Sequence, residues 1–158
     1  MIVLVMGVSG AGKSTIGRLL AERLGWSFVD ADEHHPPRNV AKMAAGTPLT
    51  DEDRRPWLEK LNLLLKQEAN TVLACSALKE AYRQRLAEGL ADCRIVYLRG
   101  SFELIRSRMQ ERRHRFMPAS LLESQFATLE PPARAIEIDV EGSAEACVCA
   151  ILRQLMPM

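Results

Sequence analysis

The sequence has no excess of either charge. Across 158 residues, 21 Lys and Arg stand against 20 Asp and Glu, a net +1. Proteins dedicated to nucleic acid draw affinity from surplus positive charge, so this balance speaks against such a partner. Aromatic residues are also sparse, at 5%, and none interleave with basic residues to form a base-stacking platform. No apolar stretch approaches membrane-spanning length, which argues against a membrane partner. The first apolar run, Ile2 to Met6, has no basic segment before it and reads as a strand rather than a signal peptide. The four cysteines, Cys75, Cys93, Cys147 and Cys149, form no C-x-x-C and do not join the three histidines at metal-ligand spacing. Reduced thiols in a cytoplasmic protein are the simplest account, with Cys75 and Cys147 as small core residues. Internal repeats and low-complexity segments are absent, and the length suits a single domain spanning 1–158.

Against these absences stands one strong motif. Gly7, Val8, Ser9, Gly10, Ala11, Gly12, Lys13 and Ser14, followed by Thr15, complete a G-x-x-x-x-G-K-[ST] phosphate loop between an apolar run and an amphipathic helical pattern. Glycines let backbone N–H groups curl around phosphate oxygens, and the helix N-terminus adds partial positive charge. Lys13 can reach the β- and γ-phosphates of a nucleoside triphosphate, and the Ser14 hydroxyl can bind Mg²⁺.

The remaining pattern alternates strands and helices. Helical periodicity covers Ser14 to Leu24 and stops at Gly25. Strands are expected over Trp26 to Val29, Thr71 to Cys75, Arg94 to Leu98 and Ala135 to Val140. Helices are expected over Asn39 to Ala45, from about Pro56, over Lys79 to Leu86, Phe102 to Arg113, Ala119 to Leu129 and Ser143 to Leu155. The start at Pro56 follows from the fit of proline to a first helical turn and its misfit further in. Such alternation implies an α/β fold with a parallel sheet and helices on both faces.

Motor-type ATPases hold Mg²⁺ with an acid that ends a core strand, but the third strand here runs into Cys75-Ser76-Ala77-Leu78-Lys79. No N-K-x-D guanine reader is present. Acids instead follow the second strand, as Asp30 and Asp32. One of them can hold the metal through water, and the other can take the proton of an acceptor hydroxyl. A helix cap or solvated turn is the plainer use of the same pair. Arg106, Arg108, Arg112, Arg113 and Arg115 form a basic cluster at a helix end. It suits a lid, about 112–120, that brings guanidinium charge to a transferring phosphoryl group, or simply a solvated helix C-terminus. A polar insert at about 33–56, together with Ser76 to Arg83, gathers Asn39, Lys42, Arg54, Lys79 and Arg83. That set suits a small hydroxylated anion better than a flat apolar ring, although a charged surface would have similar composition.

Several longer stretches carry a resemblance. They are Asp30-Ala31-Asp32-Glu33-His34-His35-Pro36, Asp53-Arg54-Arg55-Pro56-Trp57-Leu58, Cys75-Ser76-Ala77-Leu78-Lys79 with Tyr82-Arg83, and Ser124-Gln125-Phe126 with Leu129-Glu130-Pro131. Together with the phosphate loop, they make the chain resemble a gluconokinase of the short phosphate-loop type, related to shikimate kinase and the nucleoside monophosphate kinases. The resemblance implies a three-layer fold with a five-stranded parallel sheet of order 2-3-1-4-5, a homodimer, and ATP- and Mg²⁺-dependent phosphorylation of D-gluconate at its 6-hydroxyl. By position, it implies Lys13, Asp32 and Arg112 in catalysis and Ser14 and Asp30 at the metal. It implies Arg108 on adenine and Arg112 on the phosphates. Asp32, His35, Asn39, Lys42, Arg54, Ser76, Lys79 and Arg83 would meet the acceptor. The chain departs from the family in its lid, where Arg115 rather than histidine precedes Phe116-Met117. A shikimate-like acceptor and a nucleotide-binding regulatory module are the alternatives. The Ser76-Ala77-Leu78 turn, in place of the Gly-rich run of shikimate kinases, favours gluconate.

Overall fold

The computed structural model describes residues 1–111 and 119–156. Five strands, β1 (Ile2–Met6), β2 (Ser27–Asp30), β3 (Thr71–Ala74), β4 (Cys93–Arg99) and β5 (Ile136–Asp139), form one sheet in the order β2-β3-β1-β4-β5. Every pairing is parallel, and Ile2 lies opposite both Thr71 and Cys93. The helices are α1 (Lys13–Leu24), α2 (Pro37–Ala44), α3 (Asp51–Gln67), α4 (Glu80–Ala87), α5 (Phe102–Glu111), α6 (Ala119–Thr128) and α7 (Ala144–Leu155), with a 3₁₀ turn at Ala31–His34.

Strand periodicity divides the core in two. Val3 and Val5 of β1 face a layer with Leu20 of α1, Ile105 of α5 and Ile151 of α7. Ile2, Leu4 and Met6 face the opposite layer, with Leu61 and Leu65 of α3 and Leu86 of α4. All of β1 is buried, as a central parallel strand covered on both faces must be. Each fully buried aliphatic side chain contributes roughly 1.5–3 kcal/mol. Cys75 and Cys147 are core residues, as expected. The chain leaves β1 toward β2 and β3 on one side, then crosses to β4 on the other. Ligands of such sheets bind beyond the strand C-termini at this reversal, where the loop after β1 lies.

Two expectations about elements need correction. α3 starts at Asp51, not Pro56, and Pro56 lies inside it. A capping box outweighs the proline. Thr50 Oγ1 accepts from Asp53 N–H at 3.1 Å, and the Asp53 carboxylate accepts from Thr50 N–H at 2.9 Å. Three acids in the first turn, Asp51, Glu52 and Asp53, add favourable charge at the positive helix end. α2 starts two residues earlier than expected, at Pro37, which takes a first-turn position. The lid expected at about 112–120, with Arg112 and Arg115, falls almost wholly outside the described residues.

Candidate active site

The loop after β1 has the backbone geometry of an anion cradle. Gly10 and Gly12 adopt φ of 84° and 97°, a left-handed region that side chains rarely adopt. A Cβ on Gly10 would also lie 2.7 Å from Met109 Cγ, and one on Gly7 would lie 2.9 Å from the Leu98 carbonyl oxygen. Gly12 caps α1, whose first turn carries Lys13 and Ser14 and no acid. A first turn without acid leaves the positive helix end suited to an anion. Lys13 Nζ donates to Val8 O at 3.0 Å, which folds the ammonium back over the loop.

Ser14 Oγ donates to Asp30 Oδ2 at 2.9 Å, and the other Asp30 oxygen accepts from Asp32 N–H at 3.1 Å. The Asp30 carboxylate thus joins the phosphate loop to the turn that carries Asp32, and it also caps that turn. One hydroxyl beside one carboxylate is a donor set that fits Mg²⁺, which fills its remaining positions with water and substrate phosphate oxygens. Among the described residues, no cluster of three or more His, Cys, Asp or Glu could hold a metal by itself. The Asp32 side chain, on the turn beside this pair, is 72% exposed.

A cleft of about 230 Å³ runs from the loop to the β5–α7 connection, lined by Gly10, Gly12, Thr15, Arg108, Gly142 and Ser143, among others. Arg108 donates to Glu141 O at 3.2 Å, which holds the guanidinium along one wall. This wall suits a flat ring stacked against Arg108. Gly142 and Ser143 were not among the residues expected to bind. Their signal in the sequence was only a turn before the helix that Ser143 caps.

The acceptor side is a network of side chains. Arg54 donates to Leu49 O at 3.0 Å and to Tyr82 Oη at 3.1 Å. Asp51 lies 3.7 Å from both Arg54 and Lys79 and accepts the Tyr82 hydroxyl. That bond, more than the nearby cations, lowers the Asp51 pKa; burial first and Asp51 second push Tyr82 up to about 12. Arg54 and Lys79 also lie over the Tyr82 ring, at 5.2 and 5.7 Å from its centroid. Tyr82 and Asp51 were missed as site residues, because nothing in their spacing of 31 positions signals a contact. Ser76 is half-buried, and its carbonyl accepts from Gly7 N–H at 3.4 Å. The loop carrying Lys79 therefore abuts the phosphate loop.

Four residues read as acceptor contacts spend their polar atoms inside the protein. Asn39, 1% exposed, donates to Asp53 O at 2.9 Å and contacts His35 Nδ1 at 3.2 Å. Lys42 donates to the buried Asp53 carboxylate at 2.7 Å. Asp53 is held at a pKa of about 2, chiefly by Lys42 and then by the Thr50 backbone. Arg83, 2% exposed, donates to Ala77 O, Glu130 O and the Glu80 carboxylate. It anchors the left-handed Ala77 turn, at φ 43°, instead of lining an open pocket. His35 stacks on Trp57 at 4.0 Å with an interplanar angle of 15°. Its side chain is 3% exposed, with Nε2 3.9 Å from Asp32 Oδ1, and burial lowers its pKa despite that carboxylate. Polar residues with such partners read like pocket residues in a sequence, because both uses need the same atoms. Arg54, Lys79 and Asp32 keep side chains 26%, 35% and 72% exposed, and Ser76 is half-buried.

No helix among the described residues is long and apolar enough to cross a membrane. The family description "Shikimate kinase" matches residues 9–130. A probable gluconokinase of Xenopus tropicalis is 44% identical over 173 residues, covering 96% of this chain and 91% of the relative. A gluconokinase of Gluconobacter oxydans is 48% identical over 134 residues, covering 82% and 75%. The crystal structure of a gluconokinase from Sinorhizobium meliloti superposes with a TM-score of 0.91 at 42% identity, over 97% of this chain and 90% of that one. With a phosphate-loop kinase fold and full-length similarity of this order, the chain belongs to the gluconokinase family, within the wider shikimate kinase group.

Proposed function

We propose that this protein transfers the γ-phosphoryl group of ATP to the 6-hydroxyl of D-gluconate, giving 6-phospho-D-gluconate and ADP. The observation that carries this reading is the meeting of two loops at the Gly7 N–H to Ser76 O bond. It brings the loop that carries Lys79 beside the loop that carries Lys13 and Ser14, and Lys79 shares Asp51 with Arg54.

In this reading, the loop N–H groups and Lys13 hold the β- and γ-phosphates, and Arg108 flanks the adenine. Ser14 and Asp30 would hold Mg²⁺, which neutralises charge on the phosphates when bound. Arg54 and Lys79 take the gluconate carboxylate and neighbouring hydroxyls, with Ser76 beside them. Asp32 orients the 6-hydroxyl and accepts its proton while the new O–P bond forms and the bond to the β-phosphate oxygen breaks. Arg112 belongs to the phosphates by family position. His35, Asn39, Lys42 and Arg83 support the pocket from behind. The homodimer enters this reading through the family resemblance, the cytoplasmic setting through the unpaired thiols, and the single kinase domain, with its insert at about 33–56, through chain length and composition.

A coupled assay of ADP release over gluconate, other sugar acids, shikimate and nucleoside monophosphates tests it. Turnover with gluconate is expected well above the rest. Folded protein with no gluconate-dependent turnover would overturn the reading.

A further inference from the structure

Gln125 lies on α6, outside every residue assigned above, and clasps the phosphate loop. Ser9 N–H donates to Gln125 Oε1 at 2.7 Å, and Gln125 Nε2 donates to Ser9 Oγ at 3.0 Å. The backbone N–H can only donate, so it fixes which end of the carboxamide faces it. The same peptide unit carries the Val8 carbonyl, and that oxygen accepts from Lys13 Nζ at 3.0 Å and from Ala11 N–H at 3.2 Å. A peptide is planar, so fixing the direction of its N–H fixes the direction of its C=O. One carboxamide therefore sets the orientation of the carbonyl that holds Lys13. Hydrogen bonds at both ends of a peptide also polarise each other.

Gln125 is itself held firmly. Leu122, one turn earlier, is buried, and Phe126 packs edge-on against Phe102 with ring centroids 5.7 Å apart. Beyond the helix, Glu130 N–H donates to Leu78 O at 2.7 Å and Glu130 O accepts from Arg83 at 2.8 Å. The segment that grips the phosphate loop is thus tied to the acceptor loop a few residues later. Glutamine is the residue this contact needs, since it offers an acceptor and a donor on one planar group. Glutamate lacks the donor, and methionine lacks a strong partner of either kind.

We propose that Gln125 is a positioning residue for phosphoryl transfer, acting through the Val8–Ser9 peptide on Lys13. This rests on the kinase reading above. The test is a double-variant cycle with Gln125→Met, Lys13→Met and the pair, reading kcat, both KM values, Tm and the affinity for a non-hydrolysable ATP analogue without acceptor. Gln125→Met is expected to lower kcat about tenfold, the scale of one positioned polar contact, with the gluconate KM within about threefold. In the Lys13→Met background the same change is expected to have almost no further effect on the residual rate. Gln125→Met with kcat within twofold of wild type would overturn the proposal. So would a loss of equal size in both backgrounds, which marks a general structural defect. If Gln125→Met does not fold, Gln125→Ala carries the same cycle. Wild-type protein inactive on gluconate would instead overturn the kinase reading, and the cycle would then be read on acceptor-independent ATP hydrolysis.

Discussion

On the nucleotide side of the crevice, the working groups are backbone N–H donors, two left-handed glycines and a helix N-terminus, all within residues 7–15. On the acceptor side, they are side chains brought from two distant segments: Asp51 and Arg54 from α3, and Lys79 and Tyr82 from the start of α4. The first arrangement is local and grips the phosphates common to every nucleoside triphosphate. The second is long-range and can be altered one residue at a time without moving the sheet. On the proposed function, selectivity for the acceptor would therefore reside in side-chain pairs, and the capacity for phosphoryl transfer in loop conformation and the acids beside it.

Substitutions on the two sides should separate accordingly. The largest effect is expected at Asp32, where the sides meet. Asp32→Asn should lower kcat by about 10²- to 10⁴-fold, the range of general acid–base catalysis, with ATP affinity unchanged by calorimetry. Near wild-type turnover would remove Asp32 from the base role. On the acceptor side alone, Arg54→Ala should raise the gluconate KM about 10- to 100-fold, as expected for a lost charged hydrogen bond, and leave the ATP KM within about twofold. The mirror-image test is Gly10→Ala. Strain of about 1–2 kcal/mol in the left-handed region should weaken ATP about tenfold and spare the gluconate KM. Equal effects of either variant on both substrates would break the comparison.

The two sides also differ in how far their sequence reveals them. Gly7 to Ser14 could be read directly, because the motif is contiguous and its geometry follows from glycine and a helix start. The sheet order followed from the family resemblance, and the covering of both faces from the alternation of strands and helices. The acceptor side was legible only as a region. Arg54 and Lys79 share Asp51 and Tyr82 and stay partly exposed, whereas Asn39 and Lys42 turn to Asp53, and Arg83 turns to Ala77 and Glu130. Which polar residue faces the ligand and which supports it depends on partners far along the chain, as with Arg83 and Glu130, 47 positions apart. Pro56 misled for a related reason: the capping box of Thr50 and Asp53 outweighed a single proline.

Smaller effects should sharpen the division between lining and support. Arg83→Met should lower stability by about 1–3 kcal/mol, as expected when buried carbonyls lose their donor, measured by urea unfolding. The loss in gluconate affinity should be smaller than for Arg54→Ala; the reverse order would return Arg83 to the pocket. The smallest effect concerns acid. The Asp53 pKa falls from 3.8 to about 2 on folding, so its contribution is complete above about pH 4 and fades as the pH falls toward 2. Asp53→Asn should flatten the acid limb of the stability curve over that window, and an unchanged limb would contradict the assignment.

The most direct measurement of the central claim is the identity of the product. Incubation of the protein with ATP, Mg²⁺ and gluconate, followed by ¹H–³¹P correlation NMR, should show a phosphate ester coupled to the two C6 protons. A phosphate ester at another carbon, or ADP formed with free phosphate and unmodified gluconate, would contradict it.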